Sequence, residues 1–300
     1  MGSPLCHEPA ERGLADALVA TAPPLSHAEF TQIRRLAYDH FGLDLKEGKQ
    51  TLIVARLGKT LRSKGFSSFD QYCRHVTADH TGEALAELAN ALTTNFTSFL
   101  REPAHFEFLK THVAPKLSGR ATNTIWSAAC STGEEPYSIL FTLLETVGPA
   151  VDVRILATDI STRALRAAAE AVFQAERVEA LPSGWPRKYF LKGSGKWQGY
   201  YRVKSEYRER MQCRRFNLLT SEVPAQRFPA IFCRNVMIYF DKPTQGSVVK
   251  RLAGALDPGG FLFIGHSESL AGVNHQLDYV QPAVYGTPGK GGPWSNNSKR

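Results

Sequence analysis

The chain has 300 residues, 43% hydrophobic and 21% charged, which describes a globular protein long enough for one large or two modest domains. No apolar run reaches the roughly 20 residues of a membrane span and no charged-then-apolar leader opens the chain. Direct membrane insertion is therefore not expected, and the cytoplasm is the expected location. Five scattered cysteines without a C-x-x-C pair, and histidines without H-x-x-x-H spacing, argue against a disulfide framework or a metal site, while the net charge of +8 implies an acidic partner.

Residues 1–24, rich in Ala and Pro, read as a mobile arm. Residues 25–92 read as a helical domain. Ser26 and Glu29 have capping-box spacing and precede Phe30, Ile33, Leu36 and Ala37, with Gly42 as the stop. A second helix runs from about Gly48 to Lys64, with Leu52, Ile53, Leu57 and Leu61 expected on its apolar face, and ends at Gly65. Shorter helices are expected over 68–76 and 81–92. The second helix lies in a basic stretch: Lys46, Lys49, Arg56, Lys59, Arg62 and Lys64 face a single acid, Glu47. Lys49, Arg56 and Lys59 are expected to share a face opposite Leu52. That face is either a docking surface for an acidic helix or an ordinary solvated side.

From residue 93 to 287 the pattern alternates strand and helix: strand 124–129, helix 136–147, strand 153–158, helix 161–170, strand 229–233, helix 243–256, strand 260–265, and a last strand near 283–285. Such alternation predicts a doubly wound, mostly parallel α/β sheet with helices on both faces. Between 188 and 216 the pattern changes. Gly193, Gly195 and Gly199 punctuate short runs such as 200–203 and 210–216, predicting a small antiparallel hairpin insert carrying many basic residues. Residues 288–300, rich in Gly, Ser and Asn, read as a disordered tail.

The most informative stretch is Trp126-Ser-Ala-Ala-Cys-Ser-Thr-Gly-Glu-Glu-Pro-Tyr-Ser138, followed by Ile155-Leu-Ala-Thr-Asp159. A buried strand, a tight turn and a helix start, then a second strand ending in a carboxylate, form the layout of a nucleoside site, with Asp159 placed to accept ribose hydroxyls. No G-x-G-x-x-G is present, and Glu134 and Glu135 occupy the helix end that a phosphate would take. A ligand with adenosine, ribose and a cationic far end suits these charges, and S-adenosylmethionine fits. Alternatively, the glutamates only complement the helix dipole.

Several further segments are similar to the bacterial chemotaxis receptor methyltransferases, the CheR family. They are Leu92-Thr-Thr-Asn-Phe-Thr-Ser-Phe-Leu-Arg-Glu102, Phe216-Asn-Leu-Leu219, Phe232-Cys-Arg-Asn-Val-Met-Ile-Tyr-Phe-Asp241 and Gly265-His-Ser-Glu-Ser269. The resemblance covers roughly residues 28–286. It implies a class I S-adenosylmethionine-dependent methyltransferase with an N-terminal helical domain. The implied reaction is methylation of glutamate side chains on chemoreceptor cytoplasmic helices, with S-adenosylhomocysteine as product and sensory adaptation as the outcome. Carried over by motif, Asn95, Thr97 and Arg101 contact the cofactor. Glu134 holds its amino-acid end, Asp159 the ribose, Asn217 and Leu218 the adenine, and Asn235 and Val236 the methionine side.

Methyl transfer from a sulfonium to a carboxylate cancels charge and needs no general base, because a glutamate is already ionised at neutral pH. Alignment is the main requirement. Arg101 is the candidate for orienting the incoming carboxylate, since a guanidinium binds carboxylates bidentately; the other reading is a salt bridge to Glu102 or Glu107. Tyr239 is a candidate for a ring or hydroxyl beside the methyl, or else a sheet-edge aromatic. The resemblance also implies that the basic insert grips a C-terminal receptor peptide. Gly193, Gly195 and Gly199 would leave room for its backbone and Arg202 would supply charge. Two rivals are a non-enzymatic cofactor-sensing adaptor and a nucleic-acid methyltransferase. The latter's Asn/Asp-Pro-Pro-aromatic and Pro-Cys signatures are missing, so nucleic acid is not an expected partner.

Overall fold

The computed structural model describes residues 23–93, 95–117 and 123–288. Cys6 and nearly all of the expected arm and tail lie outside them. The chain divides into two compact units, Met1–Thr94 and Asn95–Arg300.

The first unit is helical: α1 (His27–Phe41), α2 (Gln50–Lys64), α3 (Phe69–Ala78) and α4 (Glu83–Leu92). The capping box forms, with the Ser26 hydroxyl accepting the Glu29 N–H and the Glu29 carboxylate accepting the Ser26 N–H. The same carboxylate accepts the Asp70 N–H at 2.9 Å, tying the starts of α1 and α3 together. Gly42 and Gly65 end their helices at φ 69° and 74°, a left-handed conformation that favours glycine. Phe30, Ile33, Leu57, Leu61, Phe69 and Leu88 fill the core. Leu52 departs from expectation, being 38% exposed. At 3.6 residues per turn, spacings of three, four and seven place it on the stripe of Lys49, Arg56 and Lys59 rather than opposite them.

The second unit is a doubly wound sheet. Its strands are β1 (Asn123–Ser127), β2 (Val153–Asp159), β6 (Met211–Arg215), β7 (Phe228–Phe232), β8 (Leu256–Phe263), β9 (Asp278–Gln281) and β10 (Val284–Gly286). The order is β6-β2-β1-β7-β8-β10-β9, parallel from β6 to β8, with β10 antiparallel to both of its neighbours. From β1 the chain winds outward to β2 and β6, then returns on the other side through β7 and β8. The crevice beyond the carboxyl ends of β1 and β7 is therefore the switch point at which open α/β sheets bind ligands. Helices α6 (Glu134–Val147), α7 (Thr162–Glu170) and α11 (Lys242–Ala255) connect the strands, and α5 (Pro103–Phe108) leads in. Trp126 is fully buried, its indole donating to the Thr158 hydroxyl at 2.9 Å and packing edge-on against Phe216.

The small antiparallel sheet differs from the expected hairpin. Its order is β3 (Val172–Gln174), β5 (Tyr200–Val203), β4 (Phe190–Lys192), so one strand comes from upstream of residue 188. Residues 211–215 do not return along 200–203; they pair in parallel with β2, from Ile155↔Met211 to Asp159↔Arg215, as the edge of the main sheet. A helical turn, α10 (Ser205–Arg208), intervenes, and that link is longer than a hairpin turn. It lets Met211 and Cys213 turn their half-buried sides toward the Cys130–Ala157–Leu165 cluster. Two short helices, α8 (Ala175–Glu179) and α9 (Trp185–Tyr189), flank β3 and β4. Phe173, Phe190 and Tyr201 join the main core beside Phe141 and Tyr189.

Candidate functional site

Beyond β1 the backbone turns at Gly133, φ 106°, which begins α6. A Cβ there would meet the Ala168 Cα at 3.0 Å. The missing side chain is thus used for close packing of α7, not for the approach of a phosphate. Glu134 and Glu135 follow, both buried, with separate partners. Glu134 accepts the Thr132 hydroxyl on Oε2 and the Arg177 Nη1 on Oε1, each at 2.6 Å. Glu135 accepts the Ser127 hydroxyl at 2.7 Å and the Arg234 Nη1 at 3.0 Å. Burial raises the Glu135 carboxyl above its ordinary range, with Arg234 and Ser127 working the other way. Dipole complementation alone does not describe either residue, because each carboxylate has a directed partner.

Arg234, at the end of β7, is the hub of the site. Its side chain is 1% exposed. Besides Glu135 it pairs with Glu102 at 2.9 Å and donates to the Arg101 carbonyl. Burial works against charge on Glu102, yet Arg234 brings its carboxyl below the usual range. His105 and His266 approach Glu102 closely enough that one atom of each lies within 4.8 Å of the others. His105 stays neutral, its pKa pushed down to about 3 by burial and then by the Arg234 charge. An arginine already paired to Glu102 opposes a cation there.

The 95–102 segment lies across the start of α6. The Ser131 hydroxyl donates to the Asn95 carbonyl at 3.0 Å, and the Leu100 N–H donates to the Ser138 hydroxyl at 2.9 Å. Thr97 is half-buried in the same segment. Arg101, also half-buried, makes neither salt bridge considered from the sequence; its Nη1 donates to the Phe96 carbonyl at 3.2 Å and its guanidinium lies 5.8 Å from the Phe96 ring. Among the described residues six non-glycine positions have positive φ, and Leu100, Glu102, Ser131 and Asn235 belong to this one crevice. Such strain, about 1–3 kcal/mol each, gathers at sites whose backbone is held by its surroundings.

Asp159 ends β2 inside the crevice, where Oδ2 accepts the Ser131 N–H and Oδ1 the Ser161 N–H, each at 2.9 Å. Burial raises its carboxyl despite these backbone donors. Asn217 is half-buried and Leu218 buried in the turn after β6. At the end of β7, Asn235 (φ 57°) points its amide toward Glu102 at 3.4 Å, and Val236 and Tyr239 are half-buried in the following turn. Glu268 accepts the backbone N–H groups of Asn235 and Ile238 and so shapes that turn. Gly265 is bare because a Cβ would meet the Asn235 amide at 2.4 Å. Tyr239 is thus brought onto the turn that Arg234 and Asn235 begin.

The residues assigned to partners lie elsewhere. A Cβ on Gly193 would meet the Trp197 carbonyl oxygen at 2.2 Å, so the space expected for a partner backbone is filled by this chain's own loop. Gly195 and Gly199 have φ 57° and 83°, which explains glycine there by conformation. Arg202, on the central strand β5, donates Nε to the Glu170 carbonyl. Lys49 and Lys59 are exposed, whereas Arg56 is half-buried and donates to the Leu92 carbonyl.

Sequence reasoning missed Arg234, Glu102, Glu268 and Arg177. The available signal was a charged residue two positions after an all-apolar strand, Phe228–Phe232, and a glutamate in the Gly265-His-Ser-Glu268 run.

The donor set fits S-adenosylmethionine. Buried carboxylates face the crevice at both strand ends, and the one glycine of the β1 turn is spent on helix packing, so a cationic nucleoside suits the site better than a phosphorylated one. Comparisons with known proteins agree. Residues 28–93 match "CheR methyltransferase, all-alpha domain" and residues 95–285 match "CheR methyltransferase, SAM binding domain". The chain is 41% identical over 259 residues to chemotaxis protein methyltransferase 2 of Pseudomonas aeruginosa, covering 86% of this chain and 92% of that one. It is 39% identical over 279 residues to the chemotaxis protein methyltransferase of Klebsiella aerogenes, covering 92% and 95%. It is 39% identical over 265 residues to that of Escherichia coli, covering 87% and 91%. With an acid-lined, phosphate-averse switch point in the second unit and both parts of the chain matched in order, this protein belongs to the CheR family of S-adenosylmethionine-dependent chemotaxis methyltransferases.

Proposed function

We propose that this enzyme methylates glutamate side chains on the cytoplasmic helices of chemoreceptors, forming glutamyl methyl esters and adjusting receptor signalling during adaptation. The observation that carries this reading is Arg101. Among the described residues no carboxylate lies within ion-pair distance of it, while its backbone is clamped by Arg234 at the edge of the crevice. A guanidinium with spare N–H donors in a fixed position suits an incoming carboxylate.

When bound, S-adenosylmethionine supplies an electrophilic methyl group on a sulfonium. Asp159 would hold the ribose, Glu134 the amino-acid end, Asn217 and Leu218 the adenine, and Asn95, Thr97, Asn235 and Val236 the remaining contacts. Arg101 orients the acceptor carboxylate without gripping it, since uniform binding does not raise turnover. Tyr239, on the turn held by Glu268, lines the acceptor side. No residue needs to remove a proton.

The enzyme is expected to act in the cytoplasm, where the receptor helices are. The α2 stripe of Lys49, Leu52, Arg56 and Lys59 suits an acidic amphipathic helix, combining charge with one exposed leucine. Incubation with methyl-labelled cofactor and a receptor cytoplasmic fragment should place alkali-labile label on the receptor. Alkali-stable label, or label on added nucleic acid instead, would remove this reading.

A C-terminal receptor peptide is proposed to add to β4, an edge of the small sheet. Leu191 and Trp197 are 57% and 51% exposed beside it, and Lys196, together with Lys192, which lies 3.9 Å from Glu179, would meet a terminal carboxylate. Tethering of this kind raises local substrate concentration to about millimolar. Deleting the peptide from the receptor is therefore expected to raise KM by about tenfold or more at constant kcat. An unchanged KM would show that β4 recruits nothing.

A further inference from the structure

Arg177 stands outside every role assigned so far. It lies on α8, between two strands of the small sheet, and reaches the main site through one bond, Nη1 to Glu134 Oε1 at 2.6 Å. The two partners differ sharply in exposure: the Glu134 side chain is fully buried and that of Arg177 is 50% exposed. With the Thr132 hydroxyl on its other oxygen, the carboxylate has no accessible surface. A cationic ligand reaches Glu134 only if Arg177 gives way.

We propose that Arg177 is the partner of the cofactor's α-carboxylate, and that the Arg177–Glu134 ion pair opens to admit the zwitterionic amino-acid end between its two members. The inference rests on the assignment of Glu134 to that end. An α-amino acid carries its ammonium and its carboxylate on one carbon. A ligand whose ammonium replaces the guanidinium on Glu134 therefore brings its carboxylate beside the displaced Arg177. One ion pair is exchanged for two of alternating sign, and no charge is left without a counterion. Among the described residues Arg177 uses one of its five guanidinium N–H donors, so a two-pronged grip on a carboxylate remains available. The half-exposed position suits a side chain that must swing, since moving it strands no buried charge other than Glu134, which the ammonium then neutralises.

Arg177 thereby becomes a specificity residue that distinguishes ligands with an α-carboxylate from those without one. Calorimetric titration of the full chain with S-adenosylhomocysteine and with its decarboxylated counterpart tests this. The native protein should favour the carboxylate-bearing ligand by about tenfold or more. Arg177→Gln should weaken S-adenosylhomocysteine relative to the decarboxylated ligand by that factor, so that the preference disappears, while the decarboxylated ligand, freed of the competing guanidinium, binds no more weakly than before; Arg177→Lys should restore part of the preference. Equal weakening for both ligands would assign Arg177 a merely structural role and overturn the proposal. Tighter binding of both would do the same, by marking Arg177 as a plug that competes with the cofactor. Glu134→Gln separates the two readings. Weakening of both ligands supports the Glu134 assignment, and unaltered binding of both removes that assignment together with the exchange built on it.

Discussion

Arg234→Met should destabilise the second unit by about 3–5 kcal/mol, measured by denaturant unfolding. The side chain is buried and neutralises Glu102 and Glu135, whose own side chains are only 13% and 10% exposed. Removing a buried ion's partner leaves the remaining charge without compensation, which costs far more than the intact pair contributes. The triple variant Arg234→Met, Glu102→Gln, Glu135→Gln removes the stranded charges and should recover most of the lost stability. Turnover should not recover with it, because Arg234 also donates to the Arg101 carbonyl, and that anchor is not restored. Near-native stability of the single variant would mean that the cluster is neutral and that the hub does not organise the site.

Arg101→Ala should reduce methyl transfer by about a hundredfold or more with little change in the unfolding midpoint. The side chain rests on the Phe96 carbonyl and ring, so its removal opens no cavity and strands no buried charge. A charge-assisted hydrogen bond contributes about 1.5–3 kcal/mol, and lost alignment of the acceptor adds to that. Cofactor affinity should fall less than turnover. Arg101→Lys keeps the charge but not the planar fork and should recover only part of the rate. Steady-state kinetics on a receptor fragment would decide, and turnover within threefold of the native value would remove Arg101 from the acceptor side.

Much of the framework was legible before any coordinates, for local reasons. Helix α1 could be bounded to within a residue, because Ser26, Glu29 and Gly42 act on backbone groups next to them in the chain. The strands around Trp126 and Ile155 could be placed because a strand covered on both faces carries a short apolar run, as Ile125–Trp126 and Ile155–Ala157 do. The crevice followed from the alternation, since right-handed crossovers leave few ways to wind the sheet. The motifs then gave the residues of the crevice their expected roles.

What the chain could not disclose one segment at a time was partnership at long range. Nothing in residues 200–216 distinguishes a hairpin from a strand that leaves to pair with β2, because both present the same alternation; only the partner decides. Leu52 reads as core in a window of apolar residues and is solvent-facing once the helix is docked within its own unit. Glu134 and Glu135 are adjacent and chemically identical, yet one meets Arg177, 43 residues away, and the other Arg234, 99 residues away. Composition and periodicity determined which elements form, and the turn motif around Gly133 gave the expected place of a cationic nucleoside. Which charge faces which was set by tertiary packing alone, since the strength of an ion pair depends on distance and burial, and sequence separation carries neither.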